Sequence, residues 1–361
     1  MKVLFITGSL NQGGAEFQIL QLAKLFQEKG NNVEVFAITN YFFYKPFIIK
    51  NNLKYTHLEN NQNKIRRVIL TSKKIKQFRP DLIISYLKIV SKVALIANIL
   101  SNKKVPLIVG ERTSDIQPVQ DKIHFNMMRL ANVITVNSIS KLNYLKTNFR
   151  AISHKTHFFP NILDVNKISF LIKDYNQKKI HLGFVGRISP EKNILEMIKA
   201  VGLIKEKGNE IRFSIYGDGR NENYLEQVNN LIFSEGLSNE VQLMGKTNDV
   251  FEVHKKIDLL ILISDYEGFS NVISEALASG LPIITSAIPE NKYLVENTVN
   301  GFVVNHKEVL SIANGIERYL YLNAAQKKEM SLENRAKSEF IFDNEKLYYQ
   351  YVELIKKLND Q

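Results

Sequence analysis

The sequence predicts an α/β protein built from two doubly wound parallel-sheet domains, and three observations point there. Its 361 residues are too many for one ordinary core. Short apolar runs alternate with amphipathic stretches along the chain. The alternation is interrupted once, after Asn161, and then begins again.

In the first domain, strands are expected at 2–7, 32–37, 82–85, 107–110 and 133–137, each a run dominated by apolar residues. Helices fill the intervals, as at 16–27, where Phe17, Leu20, Ala23 and Leu25 supply the apolar positions. A polar link at 173–179 leads into the second domain. There the order is strand 180–185, helix 194–207, strand 211–216, helix 224–235, strands 241–244 and 259–263, helix 271–279 and strand 282–285. Both halves read as Rossmann-like, and the charged stretch 343–358 reads as a final amphipathic helix. The expected organisation is 1–165, 166–342, and a helix within 343–361 that packs back on the first domain. Ligands of such sheets bind at the carboxyl ends of the strands, so the informative motifs should lie in the loops that follow strands.

Composition narrows the function. Hydrophobic residues make up 45% and charged residues 23%, which is globular rather than disordered. With no cysteine there is no disulfide framework, thiol nucleophile or cysteine metal site, which fits a reducing cytoplasm. The opening apolar run is too short for a signal peptide, and no run reaches the roughly 20 residues that span a bilayer. The net charge of +12 is lopsided. Residues 1–165 hold 24 Lys and Arg against 9 Asp and Glu, whereas residues 166–361 hold 24 against 27. Only the first half is therefore expected to meet an anionic partner.

Four motifs follow strands. Gly8-Ser9-Leu10-Asn11-Gln12-Gly13-Gly14-Ala15-Glu16 opens a helix, and its glycines allow close approach to the backbone. It is not the G-x-G-x-x-G dinucleotide fingerprint. Gly186-Arg187-Ile188-Ser189-Pro190-Glu191-Lys192 places a planar guanidinium and a mobile ammonium five residues apart, suited to a diphosphate. Gly217-Asp218-Gly219 and the strand ending at Gly245, next to Lys246, leave room for a flat ring or a ribose. Lastly, Glu267-Gly268-Phe269-Ser270-Asn271 joins a buried strand to a helix that carries Glu275. Eight residues are about 2.2 helical turns, so a continuous helix cannot align the two acids; the loop must bring them to one mouth. Ser270 or Asn271 is a suitable N-cap, and the first turn offers N–H donors to phosphate. A plain glycine turn explains each Gly-rich piece alone nearly as well, but two solvated cations are a poorer account of Arg187 and Lys192 at the crevice end of their strand, and surface glutamates do not explain an acid beside a glycine at a strand end.

In this order the motifs resemble the family 4 retaining glycosyltransferases, which have the GT-B fold, two Rossmann-like domains facing a central cleft. The most specific part is Glu267 to Glu275 followed by Ala276-Leu277-Ala278-Ser279-Gly280-Leu281-Pro282, together with Gly186-Arg187 and Glu191-Lys192. The resemblance implies transfer of a hexose or N-acetylhexosamine from a nucleotide diphosphate sugar, a UDP-sugar being favoured, with retention and with neither cofactor nor metal. Arg187 and Lys192 would hold the diphosphate and stabilise the leaving nucleotide. Glu275 would accept the ribose hydroxyls, and Glu267 would face the sugar. Gly186, Gly217, Gly268 and the main chain of Phe269, Ser270 and Asn271 would line the donor, with Lys246 beside the base and Gly13 and Gly14 closing over it. Many relatives carry a histidine in the loop after the strand at 107–110. This chain has Glu111 and Arg112 there, so Arg112 joins the catalytic candidates, while His124, His157 and His181 read as packing or surface residues.

The first domain would take the acceptor, a glycan or a polyprenyl-diphosphate-linked glycan of lipopolysaccharide or capsule. Basic Lys64 to Arg79 and the aromatic run Tyr41 to Phe47 suit attachment to an anionic membrane from the cytoplasmic side. Three other readings compete: a nucleic-acid binder with no recognised motif, a GT-B epimerase, and a non-catalytic partner subunit. The intact Arg187, Lys192, Glu267 and Glu275 favour the transferase.

Overall fold

The computed structural model describes residues 1–60, 62–176, 179–219 and 221–359. Gln177 and Lys178 of the expected link, and residues 360–361 of the expected C-terminal segment, lie outside them. The chain divides into two compact units, Met1–Leu163 with Asp343–Gln361, and Asp164–Phe342.

The first unit contains seven parallel strands: β1 (Lys2–Thr7), β2 (Asn32–Ala37), β3 (Lys54–His57), β4 (Leu82–Tyr86), β5 (Leu107–Glu111), β6 (Val133–Val136) and β7 (Thr156–Phe158). They lie in the order β3-β2-β1-β4-β5-β6-β7. Its helices are α1 (Gly14–Glu28), α2 (Lys45–Lys50), α3 (Lys64–Phe78), α4 (Lys88–Ser101), α5 (Pro118–Met128), α6 (Ile139–Asn148) and the single turn α7 (Arg150–Ser153). The central strands are the apolar runs the sequence displays. The edge strands β3 and β7 were not expected, because an edge strand needs little apolar surface: Lys54-Tyr55-Thr56-His57 is half-exposed, and β7 has three residues. Caps set several boundaries. Asn63 accepts from Arg66 N–H at 2.9 Å to start α3, Ser138 accepts from Lys141 N–H at 2.9 Å to start α6, and Arg79 ends α3 in a left-handed conformation before Pro80.

The second unit has six parallel strands in the order β10-β9-β8-β11-β12-β13. These are β8 (Ile180–Val185), β9 (Ile211–Tyr216), β10 (Val241–Gly245), β11 (Leu259–Leu262), β12 (Ile283–Ser286) and β13 (Gly301–Val304). The helices are α8 (Ile194–Glu206), α9 (Glu222–Ser234), α10 (Val250–Lys256), α11 (Asn271–Ser279), α12 (Pro289–Leu294), α13 (Val309–Leu320) and α14 (Ala324–Ile341). The sequence reading did not place β13, α13 or α14. Yet α14 opens on a capping box between Asn323 and Gln326.

The last helix, α15 (Asn344–Asn359), belongs to the first unit. It buries Leu347, Tyr351 and Ile355 with α1 on one face of the sheet; Phe26 meets Tyr348 and Tyr351 edge-on at 5.1 and 5.9 Å. The other face carries α3, α4 and α5, through Ile75, Ala94 and Phe125. Tyr44, Phe47 and Ile48 pack on the α1 side. The inner part of the aromatic run and basic α3 thus lie on opposite faces of the sheet, because successive crossovers place α2 and α3 there. Each sheet reverses direction once, between β1 and β4 and between β8 and β11, which is where ligands of doubly wound sheets bind.

Candidate active site

In the second unit the switch point brings the β8 and β11 loops together. After β8 the chain passes Gly186 and Arg187 into a short turn, Pro190–Lys192, then Asn193 with φ 51°. After β11 come Ser264, Asp265 and Glu267, and Asp265 N–H donates to the Glu191 carbonyl at 2.9 Å. Asn193 ties the loops further, donating to Ile263 O at 3.0 Å and to Asp265 Oδ1 at 2.6 Å. Burial alone would raise the Asp265 carboxyl, but the bonds from Asn193 and Lys307 outweigh it and hold it below the usual range. Gly217 has to be glycine here, since a Cβ would lie 1.8 Å from the Gly186 carbonyl oxygen.

This frame carries the candidate residues. Lys192 Nζ lies 2.5 Å from Glu267 Oε1, and both side chains are largely buried. Ser264 Oγ donates to the same oxygen at 2.7 Å and sits 3.4 Å from Lys192 Nζ. Lysine and glutamate are thus one hydrogen-bonded cluster, which the spacing of the motifs did not reveal; Ser264 is its unforeseen third member. Arg187 remains exposed, with Glu191 3.6 Å away. Lys246 pairs with Asp218 at 2.8 Å.

Ser270 caps α11, accepting from Ile273 N–H at 3.3 Å, while Ser274 N–H bonds the Ser270 carbonyl. Gly268, Phe269, Ser270 and Asn271 thus form the strand-to-helix turn, and the first turn of α11 points its N–H groups to the strand ends. Glu275 lies one turn further in. By accessible area it is only half-buried, but the atoms packed around its carboxyl are dense, and that burial, with the negative charge of Asp249, pushes it up to about 7. No hydrogen bond or ion pair holds its carboxylate among the described residues. The two glutamates therefore differ: Glu267 faces a cation, and Glu275 is an unengaged acceptor. Asp249, the N-cap of α10, was missed, although an Asp two residues after Thr247 and just before an apolar stretch is a capping signal.

The remaining candidates are in the first unit. Gly13 and Gly14 open α1, and Tyr44 Oη donates to the Gly13 carbonyl at 2.9 Å. Arg112 follows β5. Its guanidinium lies 3.9 Å over the Tyr86 ring and donates to Phe159 O at 3.3 Å. Beside it, Glu111 Oε1 and His124 Nε2 are 2.8 Å apart and fully buried, so His124 does pack inside rather than face the loop. A second buried cluster was not foreseen at all. Lys141 and Lys88 grip Asp121 at 2.8 and 2.6 Å, and Lys141 also donates to the Asp115 carbonyl at 2.6 Å. Burial would raise the Asp121 carboxyl, but these two cations bring it below its ordinary value.

A model of the glycosyl transferases group 1 family matches residues 166–339. An uncharacterized glycosyltransferase of Methanocaldococcus jannaschii is 25% identical over 62% of this chain, which spans 59% of that relative's length. A Campylobacter jejuni enzyme is 25% identical over 89% of each chain. It is an α-1,4-N-acetyl-D-galactosaminyltransferase acting on a diNAcBac-diphosphoundecaprenol-linked GalNAc disaccharide. A crystal structure of Anabaena HepE in complex with UDP superposes with a TM-score of 0.86 over 99% of this chain and all of that one, at 21% identity. The second unit thus matches the group 1 glycosyltransferase family, and the whole chain has the GT-B fold.

Proposed function

We propose that this glycosyltransferase moves a hexose or N-acetylhexosamine from a UDP-sugar onto a polyprenyl-diphosphate-linked glycan, with retention of configuration, in the building of a surface polysaccharide. The observation that carries the reading is the Lys192–Ser264–Glu267 cluster at the switch point, beside the first turn of α11. Lys192 would sit against the diphosphate, its ammonium aimed by Glu267, and Arg187 would swing in from solvent as a second donor. The α11 N–H groups would meet the phosphate, and Glu275 would accept both ribose hydroxyls through its unengaged oxygens. In the reaction, the bond from the anomeric carbon to the diphosphate oxygen breaks as the acceptor oxygen bonds to the same face. The acceptor's proton passes to the departing diphosphate. The negative charge that develops on the leaving diphosphate is met by Arg187 and Lys192, which is why a metal-free reaction is proposed. The Campylobacter relative supports the lipid-linked acceptor and the HepE complex supports UDP.

The test is a thermal-shift panel of UDP-, GDP- and ADP-sugars, followed by incubation with extracted polyprenyl-diphosphate glycans and product analysis. Stabilisation by one UDP-sugar and its transfer with retained configuration are expected. Stabilisation by GDP- or ADP-sugars alone, or an inverted product, would refute the corresponding part.

A further inference from the structure

The helices α3, α4 and α5 cover the same face of the first sheet, yet they are not finished on their outer side. In α4, Val90, Ala94, Leu95 and Ala97 are in the core, while Ile89, Ile96 and Leu100 point to solvent. At 3.6 residues per turn those three fall within an arc of about 40°. On α5, which packs beside α4, Val119 and Ile123 form a second exposed apolar stripe, and Leu130 is exposed just past the helix end. These six side chains are 38–77% exposed. A helix apolar on both sides has a second surface to bury.

The charge around the stripes identifies what covers them. Apart from Asp121, buried between its two lysines, α3, α4 and α5 contain no Asp or Glu. Lys73, Lys76, Lys103, Lys104, Lys122 and Arg129 are exposed on or beside these helices. A second copy of the chain, paired symmetrically, would set these cations against one another. A layer of anionic headgroups over acyl chains satisfies both the cations and the apolar side chains. We infer that the outer face of α4 and α5 docks the protein on an anionic bilayer, isoleucine and leucine entering the acyl boundary and lysines meeting the headgroups. The inner aromatic residues Tyr44 and Phe47 pack on the opposite face of the sheet, with α1, and take no part in it. The inference rests on the proposed lipid-linked acceptor for its purpose. Ile89 and Val119 start the stripes at the carboxyl end of the sheet, where that acceptor would be presented.

The test is co-sedimentation of the full chain with phosphatidylcholine vesicles with and without phosphatidylglycerol, at low and high salt. Binding is expected only with phosphatidylglycerol, and it should weaken with salt. The variants Ile96→Ser/Leu100→Ser and Val119→Ser/Ile123→Ser should each bind about tenfold less, from the apolar area removed. Tyr41→Ser/Phe43→Ser should bind as the unchanged protein does. Absence of binding to phosphatidylglycerol vesicles overturns the inference, as does unchanged binding by both helix variants. So does a dimer in sedimentation equilibrium that the helix variants dissolve, since a second copy would then cover the face. Stabilisation by UDP-sugars, measured without vesicles, reports on the proposed donor independently.

Discussion

Glu275→Gln should make the ligand-free protein more stable at pH 8 and worse at binding its donor. Burial and Asp249 raise the Glu275 carboxyl from its ordinary 4.5 to about 7. A group with a raised folded value binds protons more tightly in the folded chain than in the unfolded one. Stability from this group is therefore full below pH 4.5 and is lost as pH rises through 7. The span is worth about 3 kcal/mol at most, less for the residual exposure of the side chain. Glutamine keeps the shape, breaks no hydrogen bond seen at this side chain and removes the cost. The two proteins should match near pH 4.5, and the variant should lead by about 1–3 kcal/mol at pH 8, at about 2–4 °C of Tm per kcal/mol. The unchanged protein alone does not reveal this. Buried His254, held down to about 4, moves the opposite way, its stability being present above 6.5 and lost as pH falls towards 4. The assay is thus the difference between variant and parent, by thermal unfolding from pH 4.5 to 8.5, with UDP calorimetry on both. UDP affinity should rise with pH through 7 in the parent, because only the carboxylate accepts both hydroxyls. It should be flat and about tenfold weaker in the variant. A stability gap that does not widen with pH, or equal UDP affinity, would refute the assignment of Glu275.

The other outcomes follow the same geometry. Lys192→Met should cut kcat about 10²–10³-fold and lower stability, because it strands a largely buried Glu267; adding Glu267→Gln should restore the Tm by thermal unfolding, which assigns the stability loss to the stranded carboxylate. Gly217→Ala must displace the Gly186 carbonyl 1.8 Å from its Cβ, so a lower Tm and a lost UDP response are expected, read by thermal shift with and without UDP. Transfer should persist in excess EDTA, as measured by product formation; activity restored only by a divalent cation would refute a metal-free reaction.

The candidate-site loops could be read from the sequence because each is a local device: a strand, a glycine or capping residue, and a charged side chain within a few positions. Gly186 to Lys192 and Glu267 to Glu275 are of that kind. The contacts that join them were not readable. Lys192 reaches Glu267 across 75 residues, and Lys141 reaches Asp121 from another helix. Neither has a spacing that marks it. Edge strands and late helices were missed for a related reason, since β3 is polar and α14 has only a faint apolar face.

By itself the sequence determined the two-sheet α/β architecture, the order of the site loops and the basic bias of the first half, because periodicity, turn residues and net charge are properties of neighbours along the chain. Only the tertiary structure decided that Lys192 and Glu267 form one cluster, that Glu275 is left unengaged in a dense surround, and that α4 exposes an apolar stripe opposite its core side. Ion-pair partners, desolvation and unburied surface depend on which segments the crossovers bring together, and no stretch of sequence contains that.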